Sequence, residues 1–129
     1  MSKVVLDASA LLAVIGREPE AAQIQSLFPH AVISSVNLAE VHSKLVRKGV
    51  PKDEAWTATA TLVPEVIEFD AKQARIAGDL VSQTRTLGLS LGDRACIALG
   101  IALKAPVVTT DRAWKSLRLG IDIKVLRTA

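Results

Sequence analysis

Residues 3–16 read KVVLDASALLAVIG, and this stretch decides the predicted fold. Residues 3–6 have the β-branched, apolar character of a buried strand. A helix is predicted directly behind it, over residues 8–15, and should end near Gly16. A strand that passes at once into a helix is typical of β-α-β units, in which consecutive strands lie parallel.

The same alternation continues along the chain. Further strands are predicted at residues 31–34, 66–69, 106–109 and 123–125. Helices are predicted at residues 19–28, 52–62, 90–104 and 113–117, from Ser34 or Ser35 to about Lys48, and from Asp70 to about Thr86. We therefore expect one α/β domain over residues 1–129, a three-layer α/β/α sandwich around a mostly parallel sheet with the first strand central.

Composition excludes several classes of protein. Half of the 129 residues are apolar, which excludes a disordered chain. Aromatic residues make up 3%, with no Tyr, which argues against an aromatic platform for stacking bases. The net charge of +3 is compatible with a nucleic-acid partner without being evidence for one. A lone Cys96 excludes an intrachain disulfide and argues against a cysteine zinc site.

The sequence contains no predicted membrane span. Its longest apolar run, residues 95–103, is about half of what a bilayer requires. The N-terminus differs from a signal peptide because Asp7 falls inside the apolar stretch. We expect a cytoplasmic protein that begins at residue 1 without a leader.

Four acidic residues lie at predicted strand-to-helix junctions. Asp7 ends the first strand, and Asp111 ends the fourth. Glu40 lies in the first two turns of the helix after the second strand, and Asp93 in the first turn of the apolar helix. The carboxyl ends of parallel strands meet at one edge of a sheet. Because neighbouring strands are about 4.8 Å apart, these carboxylates are expected to reach a shared ion.

Each of these acids also has a purely structural interpretation. The alternatives are helix capping by Asp7 and by Asp111, a capping box of Ser90 and Asp93, and an ion pair between Glu40 and Lys44. Taken together, the acids favour a functional site. Two like charges 4 Å apart cost about 4 kcal/mol at an effective dielectric near 20, so a cluster requires a cation or raised pKa values. Oxygen ligands suit Mg²⁺ or Mn²⁺ rather than zinc.

Such a site suits hydrolysis of phosphodiester bonds. A divalent ion lowers the pKa of a bound water and neutralises charge on the phosphate in the transition state. Basic residues adjacent to the acids in sequence, Arg94, Arg112 and Lys115, are predicted to hold the flanking phosphates. The alternative for these three is a solvated helix face, and for Lys115 that alternative has equal weight.

The acidic residues and their neighbours resemble a known family. The order Asp7-Ala8-Ser9, Glu40, Ser90-Leu91-Gly92-Asp93-Arg94-Ala95-Cys96 and Thr110-Asp111 resembles the PIN domain, and most closely the VapC-type toxin ribonucleases of bacterial and archaeal toxin–antitoxin pairs. The resemblance covers nearly the whole chain. It implies a Mg²⁺-dependent endoribonuclease, usually dimeric, that a partner antitoxin silences.

The resemblance also implies roles for individual residues. Asp7, Glu40, Asp93 and Asp111 match the acidic quartet, and Ser9 matches the small hydroxyl residue near the metal. Asp7 and Asp93 are the expected main ligands, and Glu40 is expected to help orient the attacking water. Asp111 is expected to complete the cluster, and Ser9 to bond a ligand carboxylate or the scissile phosphate.

Partners are predicted from two sources. The helices around Ile24, Leu27, Phe28 and Trp56 carry more apolar surface than a small core requires, which predicts a homodimer. A groove for an antitoxin segment and an RNA substrate follow from the family resemblance.

Two alternative functions remain to be separated from the nuclease. A phosphatase with an aspartyl nucleophile requires a second acid two positions after Asp7, where Ser9 stands. A noncatalytic PIN-like or receiver-like interaction module is the other alternative. A receiver requires a phosphoacceptor such as Asp70 after the third strand, but it also requires adjacent acids near the first strand, and Asp7 has no adjacent acid.

Several residues of types that can bind metals, react or stack on bases are assigned to packing or to the surface. The two histidines, His30 and His42, fit no zinc motif. Cys96, Trp56 and Trp114 are expected to pack in the core or at an interface.

Overall fold

Five parallel strands form the central sheet of the computed structural model, which describes residues 2–63 and 65–127. The strands are β1 Val4–Leu6, β2 Ala31–Ser34, β3 Val66–Ile67, β4 Val107–Thr109 and β5 Ile123–Val125. Their order across the sheet is β3-β2-β1-β4-β5, and every pair is parallel. The predicted parallel sheet with a central first strand is therefore confirmed.

Helices connect the strands in the described part of the chain. The α-helices are α1 Ala8–Ile15, α2 Ala21–Gln25, α3 Ser35–Arg47, α4 Lys52–Leu62, α5 Ala71–Asp79, α6 Val81–Thr84 and α7 Leu91–Leu103. Short 3₁₀ helices occupy Phe28–His30, Arg85–Leu87 and Arg112–Ser116. None of the helices in the described ranges has the length and apolarity needed to cross a bilayer.

Side chains of the central strands alternate between two apolar layers. Val5 and Val107 are fully buried in a cluster with α7, whereas Leu6 and Val108 belong to a cluster with α1 and α2. This alternation follows from the two-residue period of a strand. Full burial of each such side chain contributes about 1.5–3 kcal/mol to folding. The predicted three-layer α/β/α sandwich is confirmed.

Three predicted helices are shorter or more broken than expected. The helix predicted at residues 19–28 reduces to α2, because Pro29 in the following 3₁₀ turn has no N–H to continue an α-helical ladder. The helix predicted from Asp70 to Thr86 breaks after Asp79, close to the helix-weakening Gly78. The predicted helix at residues 113–117 is the 3₁₀ turn Arg112–Ser116.

Helix caps fix the two helices that carry predicted site residues. Ser34 caps α3 by accepting a hydrogen bond from the Val36 N–H at 3.2 Å. Ser90 caps α7 in a reciprocal capping box with Asp93. Helix α3 contacts both α1 and α7, so it brings its first turns to the carboxyl ends of β1 and β2. The order of the strands reverses beside β1, which is where sites form in such sheets.

Candidate active site

Asp7 lies at the carboxyl end of β1 and is 5% exposed. Its Oδ2 atom accepts hydrogen bonds from the Ser9 hydroxyl at 2.8 Å and the Thr109 hydroxyl at 2.9 Å. Burial raises the pKa of this carboxyl, and the negative charge of Asp93 raises it further, whereas the two hydroxyls oppose that rise. Asp7 is the N-cap residue of α1, as the structural interpretation predicted, but its side chain makes no capping hydrogen bond to the helix.

The hydroxyls of Ser9 and Thr109 join the ends of two neighbouring strands. The Ser9 hydroxyl accepts from the Thr110 N–H at 3.0 Å, and the Thr109 hydroxyl accepts from the Asp111 N–H at 3.1 Å. The parallel register that pairs Leu6 with Val108 brings the next residues of β1 and β4 side by side. Asp7 is therefore held by a rigid network rather than by one flexible contact.

Glu40 is held by a buried amide on its own helix. The Asn37 side chain donates from Nδ2 to Glu40 Oε1 at 2.7 Å and to the Gly92 carbonyl at 3.0 Å. Asn37 is fully buried, and its Oδ1 atom has no hydrogen-bond partner in the described structure. The expected ion pair between Glu40 and Lys44 is not among the ion pairs of the described residues.

The Glu40 carboxylate lies directly against α7 at Gly92. A Cβ atom at position 92 would come within 2.6 Å of Glu40 Oε1. A residue with a side chain at this point would force the carboxylate to move. Gly92 therefore provides the space that α3 needs to bring Glu40 to the sheet edge.

Asp93 follows Gly92 on the same helix and serves in the capping box. Its Oδ2 atom accepts from the Ser90 N–H at 3.0 Å, and its own N–H donates to the Ser90 hydroxyl at 3.1 Å. The capping interpretation from the sequence is thus confirmed. It does not exclude a functional role, because the charge of Asp93 also acts on Asp7.

The charges of three of the four acids act on the buried Cys96. Burial raises the pKa of its thiol well above the ordinary value, and the charges of Asp7, Asp93 and Glu40 raise it further. The free Cys96 is fully buried, which confirms the packing role predicted for it. Within residues 2–63 and 65–127, no three acidic, histidine or cysteine side chains stand close enough to form a ready-made metal cage. Each carboxylate accepts its own hydrogen bonds: Asp7 from a hydroxyl, Glu40 from the Asn37 amide and Asp93 from the Ser90 N–H.

Asp111 occupies a different position from the other acids. It is exposed, and its Oδ1 atom accepts from the Ala113 N–H at 3.0 Å, so it caps the 3₁₀ helix as the structural interpretation predicted. Its charge is not among those that shift the pKa of Asp7 or of Cys96. Its expected place in the acidic cluster stays a prediction.

The predicted phosphate-binding residues lie in three different surroundings. Arg94 is half-buried and donates from Nη1 to the Ala77 carbonyl at 2.8 Å, which ties α7 to α5. Arg112 is exposed and borders a hollow beside Ser9. Lys115 borders a separate hollow with Trp114. Their role in RNA binding stays a prediction.

Sequence reasoning did not single out three residues of this site. Asn37 precedes Glu40 by three positions on one helix, and that spacing is a usable signal for a pair on one face. Thr109 directly follows Val108, as Asp7 directly follows Leu6, and Val108 and Leu6 are paired. The matching position at the end of its strand is the local signal for Thr109. Gly92 has no local signal, because its contact with Glu40 depends on how α3 packs against α7.

Residues outside the site mostly serve packing. Trp114 is 1% exposed and belongs to the main core, as expected. His42 and Trp56 form an edge-to-face ring pair with centroids 5.4 Å apart. Of the residues that motivated a homodimer, Ile24 is fully buried and Phe28 packs inward, whereas Trp56 is 48% exposed. The homodimer stays a prediction.

Solved structures with this fold include components of toxin–antitoxin complexes. A chain of VapBC2 from Rickettsia felis, bound to a promoter DNA fragment, has a TM-score of 0.72 at 22% identity, over 94% of this chain and 96% of that one. A chain of DNA-bound VapBC from Salmonella typhimurium has a TM-score of 0.74 at 18% identity, over 96% and 98%.

A third similar structure is that of a toxin that cleaves RNA. VapC20 from Mycobacterium tuberculosis, a toxin that cleaves the sarcin–ricin loop, has a TM-score of 0.69 at 16% identity, over 88% of this chain and 94% of that one. These likenesses establish the fold. No curated protein sequence matches the chain significantly.

The family model of the PIN domain matches residues 4–119. That range contains four of the five strands, β1 to β4, and every acidic residue of the quartet. The chain belongs to the PIN domain family.

Proposed function

We propose that this protein is a Mg²⁺- or Mn²⁺-dependent endoribonuclease and the toxin of a toxin–antitoxin pair. The observation that carries the proposal is the buried Asp7 at the carboxyl end of β1, on which the negative charge of Asp93 also acts. A buried carboxylate near a second negative charge costs folding free energy, which favours a cationic ligand. Membership of the PIN domain family and the likeness to VapBC complexes support the nuclease and toxin assignments.

The donor set fits a hard divalent cation. All three side chains offer carboxylate oxygens, which Mg²⁺ and Mn²⁺ prefer. Mg²⁺ usually binds through one or two carboxylates together with waters and substrate phosphates, so it does not require a preformed cage of three. Asp7 and Asp93, whose charges act on each other, are the proposed ligands, with Glu40 and Asp111 acting directly or through water.

The chain's own residues supply the remaining chemistry. A bound Mg²⁺ would lower the pKa of a water and neutralise charge on the phosphate. Ser9 and Thr109 fix the orientation of Asp7 through their hydroxyls. Asn37 fixes one oxygen of Glu40 and leaves the other for orienting the attacking water.

The proposal extends to partners and location. An antitoxin protein is the proposed regulator, because several solved structures with this fold are VapBC complexes. A homodimer and a cytoplasmic location are proposed from the family resemblance. Light scattering at micromolar concentration tests the dimer, and monomeric behaviour would remove it.

The decisive experiment is cleavage of a mixed RNA substrate by purified protein freed of any partner. Wild-type protein should cleave with Mg²⁺ and lose activity in EDTA. Asp7→Asn and Asp93→Asn should each lower cleavage by orders of magnitude, because each removes one negative charge from the metal site. The exposed Glu68→Gln is the matched control and should keep full activity. Full activity of Asp7→Asn, or undiminished activity in EDTA, would contradict the proposal and favour a noncatalytic module.

A further inference from the structure

A hollow of about 420 Å³ opens beside Ser9 and Thr110, at the same edge of the sheet as Asp7. Lys44, Arg47 and Lys48 line it from α3, and Arg127 lines it from the chain beyond β5. A second hollow of about 510 Å³, bordered by Arg112, shares Ser9, Thr110 and Arg127 with the first. The two hollows therefore adjoin, and we call them together the basic groove.

Helix α3 connects the basic groove to the acidic cluster. Glu40, Lys44 and Lys48 recur at four-residue spacing, so they lie along one face of the helix. With a rise of about 1.5 Å per residue, Lys44 lies about 6 Å and Lys48 about 12 Å beyond Glu40 along the helix axis. A polyanion that passes Glu40 in this direction would meet one cation in each turn.

The three cations of α3 carry uncompensated charge. Lys44, Arg47 and Lys48 are exposed and take part in none of the ion pairs of the described residues. Arg127 differs, because it lies 3.3 Å from Glu18 Oε1 and donates to the Thr110 carbonyl at 3.1 Å. Glu18 is the acid on this wall of the groove, and Arg127 neutralises it.

We propose that the basic groove binds the phosphates of a single RNA strand on one side of the cleaved bond, with Lys44, Arg47 and Lys48 as phosphate contacts. This inference rests on the proposed ribonuclease function. It places the strand between α1 and α3. Of the phosphate contacts predicted from the sequence, Arg112 borders the groove, whereas Arg94 and Lys115 do not line it. Arg94 already donates to a backbone carbonyl of α5, and Lys115 borders a separate hollow.

The experiment measures how RNA binding depends on salt. The triple variant Lys44→Gln, Arg47→Gln, Lys48→Gln removes the three charges with little change in size. The matched control Lys72→Gln, Arg85→Gln, Lys124→Gln removes three exposed charges that line neither hollow. Fluorescence anisotropy of a labelled single-stranded RNA oligonucleotide in EDTA gives the dissociation constant at several KCl concentrations between about 50 and 200 mM. Cleavage with Mg²⁺ is measured in parallel.

The expected result is a change in slope that only the groove variant shows. Each phosphate contact on a single strand contributes about 0.7 to the slope of log affinity against log salt, so three contacts contribute about 2. We expect the groove variant to lose about two units of slope and about 100-fold in affinity near 0.1 M salt. The control should keep the wild-type slope. Lys44→Arg with Lys48→Arg should also keep it, because both charges remain.

Four outcomes would overturn the inference. If the groove variant keeps the wild-type slope while wild-type protein cleaves RNA, the groove is wrong and the proposed function stands. If the groove variant keeps the wild-type slope but melts at a lower temperature, the three cations stabilise the C-terminus of α3 instead. If the groove variant keeps the wild-type RNA slope but no longer binds a poly-glutamate peptide that wild-type protein binds, the groove binds an acidic protein segment. Wild-type protein that neither binds nor cleaves RNA would remove the proposed function as well.

Discussion

At the scale of single residues, the site depends on side chains that hold the carboxylates rather than on the carboxylates alone. Asp7 is oriented by two hydroxyls, and Glu40 by the amide of Asn37. The acids were visible in the sequence because each lies at a predicted strand-to-helix junction. Their supporting residues Asn37 and Thr109 were not singled out. The spacing of Asn37 and Glu40 indicates a shared helix face, but it does not show whether the amide supports a site or fills a core.

Asn37 is the clearest case for a positioning residue. We expect Asn37→Ala to raise the Mg²⁺ concentration required for half-maximal cleavage by about 10- to 100-fold, which is typical when a residue that orients a ligand is removed. Asn37→Gln keeps the amide but lengthens the side chain, so it should not restore the bond to Glu40.

The control for Asn37→Ala is Thr59→Ala, which also removes a buried polar side chain. Thr59 donates only to the Ala55 carbonyl within α4, so this variant should lose stability without a change in metal requirement. Metal titrations of cleavage, with melting temperatures for both variants, separate the two effects. An unchanged metal requirement in Asn37→Ala would show that Asn37 has only a packing role.

At the scale of elements, the sequence predicted the strands and the capped helices well. Helix α1 has the predicted bounds, and Ser34 and Ser90 cap α3 and α7 as expected. Local signals were sufficient there, because a strand pattern, a capping residue and a terminating glycine agree. The helix predicted from Asp70 to Thr86 was too long, because Gly78 inside it weakens the helix and the break after Asp79 follows directly.

The packing of α3 against α7 gives a prediction about glycine. Gly92→Ala should displace the Glu40 carboxylate, because the new Cβ would occupy its position. Alanine is favoured over glycine inside a helix by about 1 kcal/mol, so the fold should survive while cleavage falls by at least 10-fold.

Gly78→Ala in α5 is the matched control for this substitution. Nothing lies within 4 Å of a Cβ atom placed there, so this variant should be stabilised by about 0.5–1 kcal/mol and keep full activity. Denaturant unfolding and cleavage assays of both variants provide the measurement. Equal activity of Gly92→Ala and wild-type protein would show that the position of Glu40 is not critical.

At the scale of the whole molecule, strand order converts distant sequence positions into one site. The reversal of order beside β1 places β4, about a hundred residues later in the chain, next to Asp7. The sequence predicted this convergence from the general rule for parallel sheets. It did not predict the basic groove, because that groove depends on how the chain beyond β5 returns Arg127 to Thr110.

The acidic cluster should also control the stability of the whole fold. The pKa of Asp7 is raised in the folded protein above its ordinary value of 3.8, chiefly by burial. The stabilising contribution of this group is therefore complete below pH 3.8 and is lost as the pH rises through the folded pKa. Without metal, and above its raised folded pKa, ionised Asp7 destabilises the fold relative to a neutral side chain.

Asp7→Asn tests this sign because asparagine is neutral at every pH. In EDTA we expect this variant to melt above wild-type protein at pH 7, and the difference should shrink as the pH approaches 4. Mg²⁺ should reverse the order, since a ligand at 100 times its dissociation constant stabilises the folded state by about 2.7 kcal/mol. For a chain of this length that corresponds to roughly 10 °C in wild-type protein, with little gain in the variant.

Glu68→Gln, which removes an exposed charge, should follow wild-type protein in both conditions. If Asp7→Asn melts below wild-type protein in EDTA at pH 7, the ionised Asp7 does not destabilise the fold. If the variant gains as much from Mg²⁺ as wild-type protein does, Asp7 is not a metal ligand.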